Sequence, residues 1–268
     1  MTTTREILEA LASGNLSVED AEMKLRLLAL TEVGEIGMLD LNRQERTGVP
    51  EVVFAENKSN ESLTKIVEVM VSKNNAALLT RVDREKLSAL KSHDKTLKYD
   101  VTGFDDHLTV LIYNQEWEEP PKVGKIGIMT AGTSDITFAC EAEAIARIMG
   151  VESLIFHDVG VAGIHRLIDP VRKMIEERVE AIIVFAGMEG ALPTVLASLV
   201  DIPVIGVPVP TGYGHGGAGE TALASMLQSC APGLAVVNIG NGLGAGAFAC
   251  LIAKRCAQKV NEYHSDLK

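Results

Sequence analysis

Between residues 125 and 259 the chain repeats one pattern five times: a short apolar run, a turn and a segment with helical periodicity. Runs such as AIIVFAG, PVIGVPV and LAVVNIG show no polar alternation, so both faces of each strand must be covered. Strands are expected at 125–130, 153–157, 181–186, 203–207 and 234–239, and helices at 135–149, 164–178, 191–200, 220–229 and 246–259. Repeated strand-then-helix units imply right-handed crossovers. The pattern therefore predicts an α/β fold, a three-layer doubly wound parallel sheet in the C-terminal half. In such sheets ligands bind beyond the carboxyl ends of the strands.

The preceding residues alternate less regularly. Segments 4–12 and 18–30 read as amphipathic helices, with Ser17 as an N-cap. Segment 36–54 ends in a strand-like Val52-Val53-Phe54. Helices are expected at 61–72 and 84–92, and strands at 76–80 and 107–113. The stretch 114–124, NQEWEEPPKVG, has charge, a Pro-Pro pair and no apolar periodicity. The expected division is a smaller N-terminal helical and α/β domain, 1–121, and a second domain, 122–268.

Composition narrows the function. With 47% hydrophobic residues in 268, a sizeable core is available. The net charge of −11 argues against nucleic acid or an anionic membrane surface as partner. It leaves room for one phosphorylated small molecule held by a local site. No apolar run approaches the ~20 residues of a membrane span, and the opening MTTTREILEA is polar. A cytoplasmic location is expected. Cys140, Cys230, Cys250 and Cys256 form no CxxC pair, which removes zinc-ribbon and thioredoxin readings.

The strand ends carry the chemistry. Gly132-Thr133-Ser134-Asp135 opens a helix, either as an ordinary cap or as a phosphate cradle. The string from His157 and Asp158 to His165 and Arg166 places two imidazoles, a carboxylate and a guanidinium after the second strand. Gly187-Met188-Glu189-Gly190 follows the third, with Glu189 either a helix cap or a catalytic carboxylate. Five glycines in the eight residues 212–219 mark a flexible connector or a loop that closes over a ligand. Gly240-Asn241-Gly242-Leu243-Gly244-Ala245-Gly246 has dinucleotide-site spacing but stands at the last unit, without a following acidic strand end, and is not read as one.

Taken together, Thr133-Ser134-Asp135, Ile164-His165-Arg166, Ala186-Gly187 through Leu192-Pro193, and Pro203 to Val209 resemble the PurE superfamily over residues 124–258. Ala191 stands where purine-pathway members carry the His of a His-Leu-Pro turn. The strings Met188-Glu189-Gly190, His157 to Gly163, Met226 to Ala231 and Asp40 to Val53 resemble the LarB family over nearly the whole chain. The resemblance implies carboxylation of the pyridinium ring of nicotinic acid adenine dinucleotide at C5 with CO2, and hydrolysis of its phosphoanhydride. The products would be pyridinium-3,5-biscarboxylic acid mononucleotide and AMP, a first step towards a nickel-pincer nucleotide. It also implies a homo-oligomer, an octamer. No tightly bound cofactor is expected; CO2 is a co-substrate, and a phosphate-bound Mg²⁺ would need few protein ligands.

A cationic ring does not attack CO2. A nucleophile added at C4 makes C5 enamine-like, and its expulsion restores aromaticity, which suits a thiolate. Read alone, Cys230 is a buried small residue or a nucleophile; the resemblance gives it the catalytic role. Asp158, His165 and Glu189 are candidates for proton transfer. Thr133, Ser134, Asp135, Gly187 and Met188 are candidates for holding the nucleotide. Arg166 and the N-terminal Asp40, Arg43, Arg46 and Lys58 are candidates around its anionic groups. Ala55, where the family usually has Gly, and Gly240, where it usually has Asp, are departures. Two other readings remain: an aminoimidazole ribonucleotide carboxylase or mutase, and a non-catalytic nucleotide-binding homologue.

Overall fold

The computed structural model describes residues 4–29, 31–33 and 37–266. Two compact units emerge, Met1–Asp100 with Val110–Trp117, and Val101–Thr109 with Glu118–Lys268.

The first unit contains helices α1 (Thr4–Ala12) and α2 (Val18–Ala29), then β1 (Thr31–Val33) and β2 (Gly37–Leu39), which pair antiparallel. Ser17 caps α2, its hydroxyl accepting from Asp20 N at 3.0 Å. Next come α3 (Arg43–Thr47), β3 (Val52–Phe54), α4 (Asn60–Asn74), β4 (Ala76–Val82), α5 (Arg84–His93), β5 (Lys98–Phe104) and β6 (His107–Tyr113), of which Val101–Thr109 counts with the second unit. The sheet order is β3-β4-β6-β5, with β3 and β4 parallel. Side chains of α4 and β4, including Leu63, Val67, Met70, Leu78 and Leu79, are buried.

Four elements here were not anticipated. The pairs β1–β2 and the helix α3 are three to five residues long, too short for periodicity to register. Strand β5 ends the sheet order and exposes most of KYDVTGF, so no apolar face marks it.

The second unit contains β7 (Lys125–Thr130), α6 (Ile136–Ile148), β8 (Glu152–Phe156), α7 (Ile168–Glu176), β9 (Ala181–Ala186), α8 (Ala191–Ala197), β10 (Val204–Pro208), α9 (Glu220–Leu227), β11 (Leu234–Val236) and α10 (Gly242–Asp266). All five strands are parallel, in the order β11-β10-β9-β7-β8. This is the flavodoxin-like doubly wound order, whose topological switch lies between its first and third strands, β7 and β9. The central strands are the apolar ones: every residue of β9 and β10 is buried.

Boundaries shift for physical reasons. Expected helix 164–178 opens instead as a 3₁₀ turn, Val161–Leu167, because Gly163 takes φ −131°, ψ 64°; α7 starts only at Ile168. Strand β11 stops at Val236 rather than 239. Helix α10 starts at Gly242, four residues early, because its glycines serve packing. A Cβ on Gly242 would stand 2.2 Å from Phe138 O, and one on Gly246 2.8 Å from Ala142 Cα, both in α6. The first amides of α10 are also taken: Leu243 N donates to Glu141 Oε2 at 3.2 Å and Gly244 N to Asn241 Oδ1 at 2.9 Å. The glycine string is thus a helix-packing device.

Candidate active site

The carboxyl ends of β7, β9 and β10, with the turn before α7, enclose a cavity of about 430 Å³. That volume suits a small-molecule site, and the place is the topological switch point. Ser134 and Asp135 come from the turn after β7, Arg166 from the 3₁₀ turn after β8, Gly187, Met188 and Glu189 from the turn after β9. Thr211, Gly212 and Tyr213 come from the loop after β10. Of the two readings of that loop, its first half thus forms cavity wall.

Asp135 is buried and organises this wall. Its carboxylate accepts from Gly132 N at 2.8 Å and from Thr211 Oγ1 at 2.6 Å. It therefore ties the first strand-end turn to the fourth. Burial raises its pKa above the usual aspartate value; the bonds from Thr211 and Gly132 pull the other way. Gly187 is required beside it: a Cβ there would lie 2.1 Å from Thr211 O and 2.2 Å from Thr211 Oγ1. Thr211 was invisible as a site residue because its partner lies 76 positions away.

Arg166 supplies the cavity's positive charge. Its Nη1 donates to Asp158 Oδ2 at 2.6 Å, and Asp158 itself does not line the cavity. Glu189 lines it, is exposed, and sits between Met188 and Gly190, both at positive φ (51° and 63°). Helix α8 begins with Gly190 as its cap and no side-chain bond, so Glu189 is not a capping residue. Ala191 also lines the cavity, leaving open a place that a larger side chain would fill.

Thr133 and His165 are exposed and neighbour lining residues without lining the cavity themselves. Each belongs to a 3₁₀ turn, where successive side chains diverge by about 120°. His157 is also exposed, its Nδ1 3.3 Å from Thr130 Oγ1. Cys230 is exposed on the connection from α9 to β11, outside the cavity. That connection is anchored by a Thr194–Ser229 hydroxyl pair at 2.9 Å. It ends at Gly233, whose carbonyl accepts from Val204 N, the first residue of β10. Its far end thus lies at the amino edge of the sheet, whereas the cavity opens at the carboxyl edge.

The N-terminal candidates belong to the first unit. Asp40 and Arg46 form an ion pair, and Arg43 Nη1 lies 3.4 Å from Glu51 Oε2. Lys58 is exposed, and Ala55 is fully buried.

Comparison with known proteins agrees with this architecture. Residues 31–103 match the model of the LarB/PurE-like N-terminal domain, and residues 125–268 match that of AIR carboxylase. The chain belongs to the LarB family of the PurE superfamily. An uncharacterised protein of Methanocaldococcus jannaschii is 49% identical over 256 residues, covering 93% of this chain and 96% of that one. N5-carboxyaminoimidazole ribonucleotide mutases are more distant and match about half of this chain. The protein from Thermotoga maritima is 33% identical over 155 residues, 54% of this chain and 85% of its own length. The one from Aquifex aeolicus is 35% identical over 132 residues, 47% and 75%. Among the described residues of this LarB-family chain, no helix is long and apolar enough to cross a membrane.

Proposed function

We propose that the chain carboxylates the pyridinium ring of nicotinic acid adenine dinucleotide at C5 and hydrolyses its phosphoanhydride. The observation that carries this reading is a nucleotide-sized cavity lined by Arg166, Glu189 and Ala191 in a chain that also has the LarB-type N-terminal domain. Ala191 leaves room for a ring, and Arg166 offers a planar, bidentate partner to carboxylate or phosphate. The Ser134–Asp135 turn receives the ribose phosphate. Glu189, solvated and inside the cavity, is the favoured base for the C5 proton.

The thiolate of Cys230 adds to C4; C5 then attacks CO2, the base removes the C5 proton, and the thiolate leaves as the ring regains aromaticity. Because Cys230 stands outside its own chain's cavity, the thiol reaches the ring from a second copy of the chain, within a homo-oligomer such as an octamer. Exposed apolar side chains support such an assembly: Leu227 (66% exposed) near the thiol, and Tyr213 (83%) and Met188 (43%) at the cavity. CO2 is the co-substrate, and any Mg²⁺ would ride on the substrate's phosphates. Incubation with the dinucleotide and labelled bicarbonate tests the reading: AMP and a labelled dicarboxylated mononucleotide support it, and absence of both refutes it. Ala191 disfavours the aminoimidazole ribonucleotide reaction named for the more distant relatives.

A further inference from the structure

Two residues of its own loop, Asp158 and Gly163, lie against the guanidinium of Arg166. Asp158 Oδ2 accepts from its Nη1 at 2.6 Å. Gly163 stands close to it as well: a Cβ there would come within 2.6 Å of the arginine Nε and 3.2 Å of Cζ. The glycine permits the guanidinium to lie against bare backbone.

The loop carrying these groups is pinned to the end of β7. Val159 N donates to Thr130 O at 3.0 Å, and Asp158 N to Thr130 Oγ1 at 3.3 Å. A Cβ on Gly160 would meet Ala131 O at 2.7 Å, so the loop lies directly on that strand end. Asp158 takes φ 57°, a left-handed conformation that is unfavourable for most side chains. The ion pair is part-exposed, at 37% for Arg166 and 52% for Asp158, so it adds little to stability. Its consequence is geometric: it selects one orientation of a long, rotamer-rich side chain at the cavity wall.

We propose that Asp158 and Gly163 are positioning residues for Arg166, which is the anchor for an anionic group of the substrate, a carboxylate or a phosphate. Asp158 acts through the arginine and does not carry the reaction's proton. This rests on the reading that the cavity is the substrate site.

The test uses full-length protein and steady-state kinetics with nicotinic acid adenine dinucleotide and bicarbonate. Asp158→Asn keeps the left-handed backbone, which asparagine tolerates. It should raise KM about tenfold or more, the weight of one charge-assisted contact, with kcat within about twofold and its pH profile unchanged. Gly163→Ala should raise KM similarly by displacing the guanidinium. In an Arg166→Ala background both substitutions should be silent, the sign of a shared mechanism. A large loss of kcat in Asp158→Asn at unchanged KM, with loss of one limb of the pH profile, would overturn the proposal. So would a kinetically silent Gly163→Ala. If the wild type does not turn the dinucleotide over, the functional reading fails by itself; calorimetric titration with the same dinucleotide then decides. Weaker binding by both variants keeps the positioning role, and equal binding, or none by the wild type, removes it.

Discussion

Replacing Gly187 by alanine should loosen the cavity and the fold together. The added methyl would stand 2.1 Å from Thr211 O and 2.2 Å from Thr211 Oγ1, more than 1 Å inside ordinary contact. Both contacts are with the loop after β10, so that loop must withdraw. Withdrawal endangers the bond from Met188 N to Thr211 O, now 3.0 Å, and that from Thr211 Oγ1 to Asp135, now 2.6 Å. Overpacking costs about 1–3 kcal/mol, and each lost bond about 1 kcal/mol more. With both bonds lost the total is about 3–5 kcal/mol, or a fall in Tm on the order of 10 °C for a unit of this size. Gly217→Ala is the control, since nothing lies within 4 Å of its added Cβ and its φ is −49°. Thermal unfolding followed by circular dichroism, with KM for the dinucleotide, reads both effects. A Tm for Gly187→Ala equal to that of the control, with KM unaltered, would refute the contact argument.

Other consequences follow from the same geometry. Burial raises the Asp135 pKa, so the folded state holds that proton more tightly than the unfolded chain; stability from this group falls as pH rises from the usual aspartate value through the raised one. Asp135→Asn should remove that slope in urea midpoints measured across acidic pH, and parallel profiles would contradict it. Burial also pushes the Cys250 thiol up to about 12; iodoacetamide at pH 8 should leave it unmodified until the protein is unfolded, and rapid native labelling would contradict the burial. Finally, Cys230→Ala and Glu189→Gln should each be inactive alone, while dissociated and reassembled together they should regain up to about a quarter of wild-type activity if the thiol comes from a second copy. No recovery would place thiol and cavity in one chain.

How far the sequence anticipates this molecule depends on burial. The runs at β9 and β10 are legible because both faces are covered, and that requires apolar residues throughout. Strand β5 is not, since most of it is exposed. Ser134, Arg166 and Glu189 are legible as cavity residues because a doubly wound sheet concentrates chemistry at its strand ends. Residue type alone does not give the direction of a side chain within a 3₁₀ turn, which separates Arg166 in the cavity from His165 outside it. Nor does it reveal contacts between distant residues. The Asp135–Thr211 bond appears only once the first and fourth strand-end loops are side by side. Asp158 reads as a base in a cluster of polar residues; its bond to Arg166 gives it a different partner.

The central claim is that this cavity carries out thiol-assisted carboxylation of a pyridinium ring. It is tested most directly by mixing full-length protein with nicotinic acid adenine dinucleotide and ¹³C-bicarbonate and following products by mass spectrometry. AMP should appear together with a mononucleotide carrying one additional, labelled carboxylate, and neither should form with Cys230→Ala. Unchanged dinucleotide, or full carboxylation by Cys230→Ala, would contradict it.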